Sequence, residues 1–501
     1  MADGKNIDSV VIHMYTMGTG DCFVLKFMKG DEVSFKMLID CGVWRGKFAD
    51  IRKFVETLKK DVENHVDVLI VTHEHKDHVF GFQAAEALFT DGKFKAEQIW
   101  MGWPENDEDD KVKKWQKEYG QKKMALGLAA DELRNVVQSD EYRKQFSGAA
   151  RENNSFGMRA NFSGVLDEYA DLHVNQAAAS PKEYVGNMKG MKVVKEDIEA
   201  AEAPRFFFPG DIVENQKGLE GVKIFVLGPP KLYEEVKTES GGAGESFPHN
   251  RDIDEDDLLV NALNGIDPDG SAEIEDPFDE SYVSNDDYHR KEYDAEDAAW
   301  RRIDFDWLFS SGQFALRMNS LTNNLSLALA FEFEDNGKVM LFPGDAEFGS
   351  WSSWQDIDWA AKGEKAHGTD DDLTTENLLN RTVFYKVAHH LSHNGTAKKV
   401  GLDMMTSKDL VAMATLDYNV ISDGWKSTMP NQLIVKDLLE KTHGRTIIMN
   451  EDGLLYDRKK KVPVSKKVKE ARAAMPPDEK KAFEEALNED SEHFIEYHLK
   501  L

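Results

Sequence analysis

One stretch constrains this chain more than any other. "VDVLIVTHEHKDH" runs an unbroken apolar segment straight into three histidines and an aspartate. A short, wholly apolar run of this kind reads as a strand in the middle of a sheet, covered on both faces. Buried imidazoles and carboxylates must be paired or ligated, so a core gains nothing from placing them at its edge. The segment therefore predicts an α/β core whose strand ends carry chemistry. Residues two apart in extended backbone point to one side. His73 and His75 can thus face one metal, and Asp77 and His78, just beyond, a second one. Imidazole with carboxylate suits Zn, Mn or Fe.

Two later segments repeat the pattern. "VMLFPGDAE" ends an apolar run on Asp345, whose carboxylate is placed to bridge two metals. "VFYKVAHHLSHNGT" ends another on His389 and His390. Alternation along a strand exchanges these two with a one-residue shift, so spacing leaves the choice between them open. Each later segment alone has a plainer reading, a turn aspartate or a packed His pair. The same strand-end placement three times favours a site.

Around these segments the chain alternates. Strand-like runs, "VVIHMYTMG", "CFVLKFM" and "SFKMLIDCG", come first, followed by an amphipathic helix with Ile51, Phe54, Val55 and Leu58 on one face. Composition adds limits. Net charge is −30 over 501 residues, which argues against a general nucleic-acid coat. Residues 251–300 hold 18 acidic against 3 basic side chains, half of that excess in a tenth of the length. The surrounding stretch, 236–300, reads as a loop-like insertion and a candidate protein-partner surface. No apolar run nears the ~18 residues of a membrane span. The N-terminus lacks a secretory pattern and there are only two cysteines, Cys22 and Cys41. Together these predict a cytoplasmic protein without a disulfide framework.

The motif HxHxDH after a strand, here "HEHKDH", resembles the metallo-β-lactamase fold. "MGTGDCFVLKF", "MLIDCG", "VKIFVLGPP", "NNLSLALAFEF…VMLFPGD", "YKVAHHLSHNGT" and "VISDG…P" are similar, in the same order, to one branch of it: the soluble hydrolase domain of the competence protein ComEC and its stand-alone relatives. The resemblance implies an α/β fold, a four-layer αβ/βα sandwich with large helical and acidic insertions. Its core would occupy 1–102, 205–232 and 320–457. A mainly helical insertion would fill 103–204, an acidic one 233–319, and a basic, helical tail 458–501. It also implies a site with two divalent ions, Zn or Mn, with Fe an alternative. His73 and His75 would hold metal one. Asp77 and His78 would hold metal two with one of His389 and His390. Asp345 would bridge, and Asp40 would orient a ligand histidine. The third-motif position offers Gly228 where many members of the fold place a histidine. Metal one is therefore expected to be under-liganded and more weakly held.

The chemistry expected is hydrolysis with water activated by the metals, Asp77 or Asp345 taking its proton. A phosphodiester in DNA, RNA or a small nucleotide heads the substrates. A regulatory module with a residual metal site, and a lactamase or thioesterase acting on an ester or amide, are the alternatives.

Overall fold

In the computed structural model the described residues are 6–138, 189–231, 307–421 and 429–501, apart from 452, 458 and 459, with a few isolated positions between. The acidic stretch 236–300 lies almost wholly outside them. The chain divides into two compact units. One comprises Met1–Lys113, Gly186–His249 and Ser320–Leu501; the other comprises Lys114–Val185 and Asn250–Asn319. Of the second unit, the described part is mainly two helical stretches, within Asp110–Gln138 and Trp307–Asn324.

The first unit is built on two sheets. In the first, β1 (Ser9–Tyr15), β2 (Phe23–Lys29) and β3 (Glu32–Ile39) run antiparallel. β4 (His65–Ile70) and β5 (Lys95–Gly102) then add in parallel to β3. The short β6 (Glu199–Ala200) and β7 (Arg205–Phe207) also pair with β5. The second sheet starts with β8 (Ile212–Val213), β9 (Val222–Gly228), β10 (Ala328–Phe333) and β11 (Val339–Phe342), in antiparallel pairs. It continues in parallel through β12 (Thr382–Lys386), β13 (Val411–Asp417) and β14 (Thr446–Asn450).

Alternation along each strand sorts the side chains into layers. Inward-facing Ile12, Phe23, Leu25 and Ile70 meet Ile224, Leu329, Phe342 and Phe384 in the core between the sheets. The rings of Phe23 and Phe342 cross that interface edge to face, 5.8 Å apart. On the outer face of the first sheet, α1 (Phe48–Asp61) buries Ile51, Val55 and Leu58 against Val24, Leu38 and Leu69. Beside it lies α2 (Lys76–Ala84), which buries Val79 and Phe82 in the same cluster. On the outer face of the second sheet, a third cluster gathers Trp351, Trp354, Trp359, Leu378 and Leu438. Helices therefore flank two facing sheets. This mixed α/β architecture is that of the metallo-β-lactamase fold.

The C-terminus departs from expectation. In place of a tail that ends as a polar helix, "FIEYHLK" forms a strand (Phe494–Lys500) that pairs antiparallel with β1 along its whole length. The reason is a period of two: Ile495, Tyr497 and Leu499 are buried and Glu496 and His498 point away from the core. The helices Val464–Ala473 and Pro477–Ala486 precede it.

The parallel strands decide where a site forms. β3, β4, β11, β12 and β13 all end towards one edge, where their C-terminal residues leave the sheets. Open α/β sheets bind ligands at the carboxyl ends of their strands.

Candidate metal centre

Four buried side chains converge at that edge. One donor atom each from Asp77, His78, Asp345 and His390 lies within 4.8 Å of all the others. His78 Nε2 is 3.2 Å from Asp345 Oδ2 and 3.8 Å from Asp77 Oδ1. His390 Nε2 is 3.0 Å from Asp77 Oδ2 and 3.2 Å from Asp345 Oδ2.

Each imidazole is aimed from behind. β4 ends at Ile70, and the chain then turns so that Thr72 meets Asp40, at the end of β3. Thr72 N–H donates to Asp40 Oδ1 at 2.8 Å, and its hydroxyl donates to Oδ2 at 2.7 Å. Asp40 Oδ2 also accepts from His78 Nδ1 at 2.8 Å. That leaves His78 Nε2 to face the cluster. His390 is held by a different route. Thr415, in β13, donates its hydroxyl proton to Asp21 Oδ1 at 2.6 Å. Its oxygen is then free to accept from His390 Nδ1 at 2.7 Å, which again leaves Nε2 inward.

Asp345 divides its two oxygens. Oδ2 faces the histidines, while Oδ1 accepts from Lys386 Nζ at 3.0 Å and from the His389 backbone N–H at 3.1 Å. Lys386, the last residue of β12, is buried. Its ammonium also donates to the Gly344 carbonyl at 2.9 Å and pairs with Asp21.

The backbone explains which of the two neighbouring histidines enters. His389, His390 and Leu391 have φ of 47°, 48° and 66°. The chain has left the strand and makes a left-handed turn, so strand alternation no longer governs the pair. His390 points into the cluster. His389, with its side chain about 21 % exposed, turns towards the buried carboxylate of Glu347, 3.4 Å away. Glu347 in turn accepts from Ser320 and, at 2.7 Å, from Asn323.

His73 and His75 stand beside the cluster and not in it. His73 Nε2 is 3.1 Å from His75 Nδ1. His73 Nδ1 lies 3.1 Å from Thr72 Oγ1 and 3.2 Å from Ser326 Oγ. Its ring centroid is 4.1 Å from that of His78.

The electrostatics follow from the count of charges. Four buried carboxylates, Asp21, Asp40, Asp77 and Asp345, gather here, and the buried ammonium of Lys386 pairs with two of them, Asp21 and Asp345. Burial penalises every ion here, and the partners decide the outcome. His390 is pushed up to about 10, because Asp345 and Asp77 outweigh its burial. Asp345 is held well below the carboxylate range against its own burial, by His390, Lys386 and His78. Burial pushes Asp40 up, against the pull of His78. His73 goes the other way: burial, and then the charge of His78, hold it well below the usual range, so it is neutral. A divalent cation answers the same deficit that the imidazolium protons answer in the free protein.

The residues fit such a cation. Among the described residues, His78 Nε2, His390 Nε2 and Asp77 Oδ1 are buried without a hydrogen bond. Two imidazole nitrogens with carboxylate oxygens are a donor set for Zn, Mn or Fe.

Of three groups that support the cluster, sequence reading misses Asp21 and Thr415 and leaves Lys386 between the surface and a supporting role. Asp21 sits in "GTGD", which reads as a turn. Its signal is the two glycines before it: Gly18 and Gly20 have φ of 125° and 141°, and a Cβ on Gly20 would lie 2.7 Å from the Asp77 carbonyl oxygen. That close approach needs glycine. Lys386 reads as a neighbour of the His pair, and a buried ammonium has no sequence signature of its own. Thr415 is one threonine inside an apolar strand. Gly228 does end β9, but a Cβ there would meet Ser326 O, Ser350 Oγ and Trp354 Nε1 at 3.1–3.3 Å. A side chain at that position needs these neighbours to give by a few tenths of an ångström. Asp211, in "FFFPGD", accepts from the Phe208 N–H at 2.8 Å, the role of a turn residue.

A two-sheet α/β fold with a buried His/Asp cluster at its strand ends defines a class of metal-binding proteins. Residues 16–141 match the family model described as the metallo-beta-lactamase superfamily. Members of that superfamily are mostly hydrolytic enzymes and typically bind divalent metals. The match includes Asp40 and the whole of "HEHKDH", while Asp345 and His390 lie beyond it. No curated protein matches the chain. Among the described residues, no helix is long and apolar enough to cross a membrane.

Proposed function

We propose that this protein is a metal-dependent phosphodiesterase of nuclease type, akin to the ComEC-like branch of the fold. The observation that carries the reading is the converging set Asp77, His78, Asp345 and His390, with each imidazole aimed by its own partner. These four would hold one divalent cation. His73 and His75, sharing Asp345, would hold a second. Bound there, such cations supply Lewis-acid polarisation of a phosphoryl oxygen and lower the pKa of an attacking water, a pairing suited to in-line displacement at phosphorus.

The chain's own residues divide the remaining work. Asp77, a carboxylate facing His390, or Asp345 would take the proton of the attacking water. Asp40 and the Thr415–Asp21 pair fix the tautomers of His78 and His390. Lys386 holds Asp345 in its divided orientation. The two cysteines are buried free thiols, which suits a reducing cytoplasm.

The test is hydrolysis of bis-p-nitrophenyl phosphate. Activity should vanish on chelation, return with Mn or Zn, and be lost in Asp77→Asn. A metal-loaded protein that leaves diesters intact but opens a β-lactam or a thioester would overturn the phosphodiester reading. Full activity after exhaustive chelation would overturn the metal.

A further inference from the structure

We propose that the loop 44–48, with Lys76 and Phe80 of α2, is a docking strip for single-stranded nucleic acid at the rim of the metal centre, an inference that rests on the phosphodiester reading.

The strip is tied to the centre through the backbone. Beyond Asp40, Cys41 N–H donates to the His78 carbonyl at 3.0 Å. A Cβ on Gly42 would fall 2.0 Å from the Asp77 carbonyl, so the chain lies hard against the first turn of α2. The next residues are "VWRGKF". Trp44 is buried and serves as a floor. The Arg45 guanidinium lies 5.9 Å from its ring centroid and the Lys76 ammonium 5.4 Å. Lys76 falls between His75 and Asp77 in the chain, and its ammonium is also 5.0 Å from the Phe80 ring. Phe80 meets Phe48 edge to face at 5.5 Å. Phe48 is 54 % exposed, among the most exposed large apolar side chains of the described residues.

The charge is as unusual as the aromatic. Residues 44–54 carry Arg45, Lys47, Arg52 and Lys53 against Asp50, a net of +3 in a chain of −30. Asp50 is itself paired with Lys53 at 3.1 Å. A solvated helix end would account for the cations alone. It does not account for a half-exposed phenyl ring set among them beside a cluster that fits a metal.

Cations with an open aromatic face are what single strands use, because phosphates meet the charges and an unstacked base meets the ring. A duplex keeps its bases stacked inside and offers Phe48 no partner. A lipid surface would need a larger apolar area than one ring provides.

Fluorescence anisotropy tests this with the full chain in excess chelator, where no turnover occurs. The probes are a labelled oligothymidylate of about 20 nucleotides and a hairpin duplex of equal length. The single strand should bind more tightly and weaken with salt. Phe48→Ala should lower its affinity by about 5- to 150-fold, the value of one stacked base. Lys47→Gln should lower the salt slope by about 0.7, the value of one phosphate contact on a single strand. Thermal unfolding of each variant confirms the fold, which an exposed position should leave intact. Absence of oligonucleotide binding by the wild type, equal affinity for strand and duplex, or no effect of Phe48→Ala would each overturn the strip. So would binding to phosphatidylserine vesicles in place of the oligonucleotide. The diester reading stands or falls separately, on the small-ester assay.

Discussion

Asp77 and His78 of the cluster follow directly on the pair His73–His75 in the chain, yet the cluster and the pair differ in what stands behind them. His78 is backed by a carboxylate, and His390 by a hydroxyl whose proton is already committed to Asp21. Asp345 is backed by a buried ammonium. His73 Nδ1 has a hydroxyl of the same kind in Thr72, whose proton goes to Asp40, but at 3.1 Å and shared with His78 Nδ1, and Ser326 Oγ lies 3.2 Å away. A group that fixes a tautomer also raises ligand basicity. On the proposed reading the cluster, with the shorter support behind its ligands, would hold a cation more tightly than the pair. That difference would come from the support behind the ligands as much as from the number of them.

The largest effect should come from the two neighbouring histidines. His390→Ala removes an inward nitrogen and should abolish metal retention at the cluster together with diester hydrolysis. His389→Ala removes a ring that faces Glu347 and should leave metal stoichiometry unchanged. Metal analysis of the two purified variants decides it. If His389→Ala loses the metal and His390→Ala keeps it, the roles drawn from the left-handed turn are reversed.

A smaller effect should follow from weakening the support. Asp40→Asn keeps the shape and tolerates the observed φ of 57°, since asparagine adopts that region readily. Thr415→Val keeps the volume and removes the acceptor for His390. Each should weaken metal binding about 10- to 100-fold, the usual value of such outer partners. Ser326→Ala removes a neighbour of His73 Nδ1 and the acceptor of the Asp345 N–H, so it should weaken both ions, the weaker one more. In competition with a chelator of known affinity, the wild type should release one ion before the other, and Thr415→Val should narrow the gap. Two ions released together from the wild type would erase the comparison.

Much of this arrangement was legible in the sequence because strand ends are. An apolar run that stops on His or Asp announces both the sheet and the site, as β4, β11 and β12 do. Side chains that support a site carry no such mark. Asp21 is a turn aspartate until the fold brings Thr415, almost 400 residues later, to within 2.6 Å of it. The choice between His389 and His390 depends on backbone that has left the strand, where a period of two no longer applies. The final strand was hidden for a related reason: seven alternating residues after two polar helices read as their continuation, until β1 supplies an edge to pair with.

The smallest effect concerns the one histidine of the pair that faces away from the cluster, and it concerns stability in the metal-free protein. Burial pushes both Glu347 and His389 towards neutrality. Their mutual contact outweighs it, so that Glu347 is lowered and His389 raised from their ordinary values. For Glu347, the folded state binds fewer protons than the unfolded one as pH falls below about 4.3, so its contribution is present above that pH and lost on acidification. For His389, the folded state keeps a proton that the unfolded chain releases near 6.5. Its contribution is full below that pH and is lost as pH rises through the raised folded value. The pair should therefore stabilise most between about pH 4.3 and 6.5 and fade above. Glu347→Gln should lower the melting temperature most in that window and progressively less at alkaline pH, the His389 side chain being partly solvated and so partly screened. Unfolding curves of the chelator-treated wild type and variant across pH 5 to 9 measure it. A melting-temperature difference that stays constant across that range would mean that Glu347 acts through Ser320 and Asn323 alone, and that His389 is no part of its support.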